Sequence, residues 1–372
     1  MMRFKISVLT VLPVLLVLVM PLGDYPSGSA GDSSLAWCAA PGPVLPPMVT
    51  PATVKAIDRG LEYLIKTQRA NGSWVSGYSS YDYPVVMTSL AGLALLSSGS
   101  TPETGPYAKY IRKAMYYILR VAEASKDGLI CTHASRFRSM YGHGFAMLFL
   151  AECYGMDLDE KTGKRIRKVL DKAVALTAKA QSSQGGWIYT PYQNSDEGSV
   201  TVTQLQALRA CKNVGIKVPE KTITRAVEYL KKCQNPDGGI CYSIRSRGSS
   251  RPPISAAAIT CFYSAGVYDR QSGGMGKEAE MVEKLVNYCR HAARVGSASG
   301  HYYYMHFYMA QAWYHRGGKD WTDYYPKIRD HLLRLQNPDG SWMGDYVGTT
   351  YGTAIATFIL QLPYGYLPIC ER

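Results

Sequence analysis

Over residues 224–233, Ala226, Val227, Leu230 and Cys233 recur at helical spacing on one side, and Arg225, Glu228, Lys231 and Lys232 cover the other. That pattern predicts an amphipathic helix with its charged face in water. The stretches 87–96, 145–153, 202–211, 256–265, 307–314 and 353–362 read differently, because few charges interrupt them on any side. A helix that is apolar nearly all round is buried on several sides. The chain alternates the two kinds, and each copy joins its charged helix to its apolar helix through a glycine turn and an irregular, tyrosine-rich segment.

The alternation is a true internal repeat. Arg59-Gly60-x-x-Tyr63-Leu64-x-x-x-Gln68-x-x-x-Gly72-Ser73-Trp74 returns as Arg329-x-x-Leu332-Leu333-x-x-Gln336-Asn337-Pro338-Asp339-Gly340-Ser341-Trp342. The same frame recurs at Gln181 to Trp187 and at Gln234 to Ile240, with the glutamine four residues before the glycine each time, and weaker copies end at Asp127-Gly128 and near Gly296. Six anchors between Gly72 and Gly340 give a mean period in the low fifties. The apolar helices must then form an inner ring and the charged helices an outer one. An open stack would expose an apolar end face, so the expectation is an all-α fold, a closed (α/α)6 toroid of six helix pairs in which the last pair meets the first.

The segment from Arg59 to Trp74 resembles the QW repeat of terpenoid cyclases, and the six-pair plan is similar to the squalene cyclase and protein prenyltransferase superfamily over residues 52–366. The resemblance implies an α/α toroid in which Gln68, Trp74, Gln181, Trp187, Gln336 and Trp342 tie neighbouring outer helices together. It does not bring the family's chemistry with it. The nearest match to the cyclase acid motif, Asp157-Leu158-Asp159-Glu160, follows an inner helix, whereas the motif belongs at the head of one. For the prenyltransferase zinc site, Cys241 lacks the accompanying Asp, and His301 and His306 are five residues apart, about 140° around a helix. Neither a metal nor a cofactor is expected.

With 372 residues, 47% hydrophobic and 19% charged, the composition excludes disorder and collagen-like repetition. Tyrosine is overrepresented, 29 against 7 Phe, which suits a wet cavity better than a dry core, and the net charge of +13 argues for anionic surroundings. Arg3 and Lys5 precede an uncharged apolar run over 6–22, the pattern of an export signal, with cleavage expected after Ala30. An uncleaved membrane anchor is the alternative. Residues 31–51 then form a proline-rich linker, 52–366 the toroid and 367–372 a tail. Of nine cysteines none forms a CxxC motif; Cys233 and Cys241 bracket a turn they could bridge, and Cys153, Cys211, Cys261 and Cys289 lie in helical stretches as buried thiols.

The irregular segments all lead into inner helices, so they gather on one rim, where helix amino termini favour anions. The segments and helix heads at this rim carry Tyr81, Asp82, Tyr83, Tyr141, His143, Tyr242, Arg245, Arg247, Arg251, His301, Tyr303, Tyr304, His306 and Tyr351 as candidate ligand-binding residues. Phenols with a few His, Arg and carboxylates suit sugar rings, an isoprenoid chain or a cation. If the chain is an enzyme, Tyr141, His143, Tyr304 and His306 are the catalytic candidates. A lyase would use a Tyr as base, a His in support and Arg245, Arg247 or Arg251 to neutralise a uronate; a glycosidase would use two carboxylates from Asp82, Asp196, Glu197 and Asp345. Expected partners are therefore a lipid, isoprenoid, peptide or anionic glycan. The basic residues are too dispersed for nucleic acid, and a membrane enters only if the amino-terminal segment stays attached.

Overall fold

A computed structural model describes residues 45–77, 82–156, 158–264, 277–297 and 300–370. The signal segment, most of the linker, Tyr81 and Asp157 lie outside them. Outer helices α1 (Pro51–Thr67), α3 (Ala108–Glu123), α5 (Glu160–Ala180), α7 (Glu220–Lys232), α9 (Lys277–Ala292) and α11 (Gly318–Leu335) alternate with inner helices α2 (Pro84–Leu96), α4 (Ser139–Tyr154), α6 (Gly198–Asn213), α8 (Pro252–Ser264), α10 (Tyr302–Arg316) and α12 (Thr349–Gln361). The two classes bury different amounts of themselves, as their sequences require. On α1 the buried residues are Thr53, Ala56, Ile57, Gly60, Leu61 and Leu64, a single stripe. On α2 every residue but Val86 is buried.

Each inner helix packs on the next, and α12 packs on both α1 and α2, so the ring closes as expected. The seam is polar and specific. The Arg59 guanidinium donates to the carbonyl oxygens of Asn337 at 2.8 Å and Pro338 at 2.7 Å, and Gln361 Nε2 on α12 donates to Ala94 O on α2 at 3.0 Å.

The repeat frame has a mechanical explanation. Gly72, Gly128, Gly185, Gly238, Gly296 and Gly340 all have φ between +80° and +104°, the left-handed region that glycine enters without a Cβ penalty. In five of the six, a Cβ would also strike a backbone carbonyl of the next outer helix, that of Lys113, Lys172, Arg225, Lys284 or Arg59. The glutamine spans the same joint. Gln68 Nε2 reaches Gly72 O at 3.1 Å and Tyr110 O at 2.9 Å, Gln181 reaches Gly185 O and Thr222 O, Gln234 reaches Gly238 O and Met281 O, and Gln336 reaches Gly340 O and Ala56 O. Each frame thus ties its own turn to the following outer helix, and the last ties back to the first.

The axis of the ring is filled. Phe145 on α4 meets Phe307 on α10, a helix from the opposite side, at a centroid distance of 5.9 Å, and Phe307 meets Phe358 at 4.8 Å. Gln206 on α6 donates to Gln311 on α10 at 2.7 Å, past the intervening α8. Past residue 366, Leu367, Ile369 and Cys370 are buried against the toroid. No helix among the described residues is long and apolar enough to cross a membrane.

Candidate functional site

The amino-terminal ends of the inner helices meet on one rim. Gly198 N, opening α6, donates to Tyr242 O at 2.8 Å, and Met140 N, at the head of α4, donates to Tyr189 O at 3.0 Å, so neighbouring irregular segments are stitched to each other across helix starts. Tyr189 and Tyr242 touch through their hydroxyls at 2.7 Å. The Tyr141 ring lies 6.0 Å from that of Tyr189, and the Arg138 guanidinium sits over Tyr189 at 5.2 Å. Arg245 and Arg251 are exposed on the adjoining segment. Arg247 is not available in the same way, because its guanidinium folds back onto Lys232 O, Gln234 O and the Asn235 side chain.

Beneath this aromatic surface lies a buried carboxylate. Glu197 caps α6, accepting from Ser199 N at 2.8 Å and Val200 N at 2.5 Å, and the Ser199 hydroxyl bonds it as well. The Tyr141 hydroxyl meets Ser199 Oγ at 2.5 Å, and the Tyr304 hydroxyl donates to Ser199 O at 3.0 Å. Burial holds the Glu197 carboxyl above its ordinary range despite these bonds, and burial, with Glu197 nearby, pushes the Tyr141 phenol well up. Tyr304 is raised for the same first reason. Both phenols therefore stay protonated at neutral pH and act as hydrogen-bond donors, a poor starting point for a lyase base.

A second carboxylate stands on the other side of the ring. Asp345 reaches from the turn before α12 to the head of α10, accepting from Tyr302 N at 2.9 Å and Tyr303 N at 3.2 Å. Burial raises its carboxyl to about 6, opposed by those two amides and by His301. Tyr303 and Tyr351 form the adjacent wall, 6.5 Å between ring centroids. Asp82 is exposed, and Tyr83 enters α2 in the left-handed region with φ +42°.

Both candidate catalytic histidines are placed differently from the expectation. His143 is fully buried behind the mouth: Nδ1 accepts from Ile130 N at 3.1 Å, and Nε2 meets Thr177 Oγ1 at 3.0 Å. Its place is the one from which Thr88, Thr201, Ser255 and Thr353 accept the same turn amide in other repeats. His306, also buried, meets the Tyr324 hydroxyl through Nδ1 at 2.9 Å. Burial lowers His143 to about 4 and His306 to about 3. Neither faces the mouth, since each fills the joint between an inner helix and an outer one. The acidic stretch after α4 is structural too, with Asp159 capping α5 by accepting from Thr162 N at 2.9 Å.

Of the adjacent pair Asp196-Glu197, only Glu197 turns toward the tyrosines. Asp196 is buried against the Gly185 turn, accepting from Ser182 Oγ at 2.8 Å. Ser199, which links Tyr141 and Tyr304 to Glu197, went unnoticed in the sequence. Its one signal is the acidic residue two positions earlier.

No protein-family model and no characterised protein sequence matches the chain; the likeness to known proteins is one of fold. The GH76A α-1,6-mannanase of Salegentibacter sp. HEL1_6, solved as an inactive variant with α-1,6-mannotriose, superposes with a TM-score of 0.63 at 9% identity, over 83% of this chain and 98% of the mannanase. A GH76 α-mannanase of Bacteroides thetaiotaomicron gives 0.58 at 11% identity, over 84% and 96%. A variant of the type II terpene cyclase MstE from Scytonema, with merosterolic acid A, gives 0.55 at 13% identity, over 84% and 97%. The chain is an (α/α)6 toroid with the fold of both the mannanases and the terpene cyclase.

Proposed function

We propose that the mouth binds a glycan chain, and an anionic one in preference to a neutral one. The observation that carries this reading is the contrast between mouth and axis. Tyr141, Tyr189 and Tyr242 form a hydroxylated aromatic surface, whereas Phe145, Phe307 and Phe358 fill the space an enclosed hydrocarbon would need. Sugar rings present apolar faces and hydroxyl edges, which such phenols match on both counts. Arg138, Arg245 and Arg251 add positive charge on the same side, and the chain's net charge of +13 has the same sign. A solved neighbour holding mannotriose supports a saccharide in this fold. Hydrolysis is not part of the proposal. That neighbour was inactivated by changing two consecutive aspartates, and here the consecutive acids Asp196 and Glu197 point apart, each held by structural bonds.

The same reading takes the protein as exported, with residues 1–30 removed, which amino-terminal sequencing of protein from its native cell tests directly. For the ligand, calorimetric titration of the chain with oligogalacturonate, mannotriose and geranylgeranyl diphosphate separates the classes. Oligogalacturonate is expected to bind, and Arg138→Ala or Tyr189→Ala to weaken it about tenfold, the equivalent of about 1.4 kcal/mol. Saturable binding of the isoprenoid alone would overturn the reading.

A further inference from the structure

Repeat four keeps the frame's glutamine and its glycine turn but has Ile240 where Trp74, Trp187 and Trp342 stand. In those three repeats the indole N–H donates to a carbonyl ten residues earlier, Leu64, Thr177 or Leu332, at 2.8 Å each time. That bond fastens the segment leaving the turn to the last turns of the outer helix. Isoleucine has no donor to offer. The residues flanking the frame also differ here: the pair just before the glutamine and just after the tryptophan position is Thr67 and Val75, Ala180 and Ile188, or Leu335 and Met343 elsewhere, but Cys233 and Cys241 in repeat four.

The two cysteines face each other by register. Gln234 and Ile240 form an antiparallel bridge, flanked by Asn235 N to Gly239 O at 2.8 Å and Cys241 N to Cys233 O at 3.0 Å. The next pair outward is therefore Cys233 opposite Cys241. Only one of the two ladder bonds is made at this step, Cys233 N staying with the end of α7; across one such bond the Cα atoms stand roughly 5–6 Å apart, inside the range of about 4.4–6.8 Å that a disulfide spans. Both side chains are wholly buried, and Cys241 lies near enough to help raise the Cys233 thiol, while its own thiol donates to Ser243 O at 3.4 Å. All eight described cysteines, Cys233 and Cys241 among them, stand as free thiols; Cys153, Cys211, Cys261 and Cys289 lie buried in other helices, with no cysteine opposite them in register.

We propose that Cys233 and Cys241 are joined by a disulfide that closes the Gln234–Ile240 turn and takes the place of the missing indole bond. The oxidant is a small or protein disulfide. One cysteine thiolate attacks a sulfur of that disulfide and releases a thiolate, and the second cysteine then displaces the other half from the mixed disulfide. Two thiols are oxidised, one external disulfide is reduced to two thiols, and no other reactant is consumed. The exchange precedes burial of the turn, because burial raises the Cys233 thiol to about 12 in the fold and leaves it little thiolate to attack with. Once formed, the bond is shielded from reductant. It also fixes the segment that carries Tyr242 from Cys241 into the mouth.

The test uses the full chain refolded in a mixture of reduced and oxidised glutathione, alkylated in denaturant without reduction, and digested with trypsin. Lys232 and Arg245 place both cysteines in one peptide, residues 233–245. That peptide is expected to be unalkylated and lighter by two hydrogens than its reduced form. Finding it doubly alkylated, or either cysteine joined to another, overturns the proposal. Thermal melts add a second readout. Prior denaturation with dithiothreitol should lower the melting temperature of the wild type by several degrees and leave the Cys233→Ala/Cys241→Ala double variant unmoved; an equal response in both also overturns it.

Discussion

His143 and His306 occupy the same step of their helices, the fifth residue of α4 and of α10, and both imidazoles are buried against a hydroxyl, Thr177 at 3.0 Å and Tyr324 at 2.9 Å. The neutral ring does in repeat two what a threonine hydroxyl does in repeats one, three and six, with Ile130 N donating to His143 Nδ1 as Trp74 N donates to Thr88. Because Nδ1 accepts, the ring proton sits on Nε2, and a second proton would destroy the bond to Ile130.

That arrangement makes stability depend on pH in a definite direction. Both histidines have folded values, about 4 and about 3, below the unfolded value of 6.5. As pH falls from about 6.5 the unfolded chain takes up protons that the fold refuses, so each histidine lowers stability by up to about 1.4 kcal/mol per pH unit until its folded value is reached. Asp345, raised to about 6, acts in the opposite sense between about 6 and 4. The clean measurement is therefore the difference between wild type and His143→Thr, the residue type that other repeats use. Urea denaturation at pH 7 and pH 4.5 should show the variant losing distinctly less stability on acidification. Equal slopes would place the proton elsewhere.

The seam of the ring can be tested in the same way. Arg59 makes two charge-assisted bonds to carbonyls at the far end of the chain, and a third to Gln336 Oε1 at 3.3 Å. Arg59→Ala should cost about 1.5–3 kcal/mol. The loss should appear as faster amide exchange in α1 and in the turn at Gly340 before it appears elsewhere, because only that joint is opened. Arg225, which repeats these contacts to Ser182 O, Ser183 O and Gln181 within the chain's middle, provides the control: Arg225→Ala should cost a similar amount without loosening α1.

The architecture was legible because each repeat states it again. The glycine turn recurs six times at a regular period, and in four copies a glutamine ties it to the next outer helix, so closure is the economical outcome. The mouth was less legible. Sequence order places a residue near a rim, but it does not say whether the side chain turns into the mouth or back toward the outer ring. His143 and Tyr141 are two residues apart on one helix and point to different environments, one wholly buried behind Thr177 and one beside Tyr189. Counting from the helix start would have matched His143 to Thr88. No count would have found Ser199, whose part depends on Tyr304 arriving from a helix two places away.

Trp342 separates packing from hydrogen bonding. Its ring is fully buried, its backbone N donates to Thr353 Oγ1 at 3.0 Å and its indole N–H to Leu332 O at 2.8 Å. Trp342→Phe keeps most of the volume but strands the Leu332 carbonyl, at a cost of about 1–3 kcal/mol. Trp342→Ala adds a cavity beside Gly60 and should cost about 3–5 kcal/mol. Neither should alter oligogalacturonate affinity at temperatures where the variant stays folded; a selective loss of affinity would move the binding surface to the outer ring.

Asp345 should give the mouth a pH response of its own. Its carboxyl is raised to about 6, so it is mostly ionised at pH 7 and mostly neutral at pH 5. An anionic glycan meets one more negative charge on the rim at the higher pH and should bind more weakly there, by roughly three- to tenfold for an interaction of about 0.7–1.4 kcal/mol across a partly hydrated gap. Asp345→Asn isolates the effect. Asparagine caps a helix about as well as aspartate, so the bonds from Tyr302 N and Tyr303 N survive without the buried charge. His301, exposed nearby, acts on the Asp345 carboxyl, so the comparison is made in a His301→Gln background. In that background, relieved of the lowering by His301, the Asp345 carboxylate should produce an affinity inflection somewhat above pH 6, and Asp345→Asn should abolish it while binding at pH 7 tightens toward the acid value. If affinity for the anionic glycan rises with pH instead, Asp345 is acting as a hydrogen-bond acceptor to the ligand, and the ligand is recognised at this edge by its hydroxyls and not by its charge.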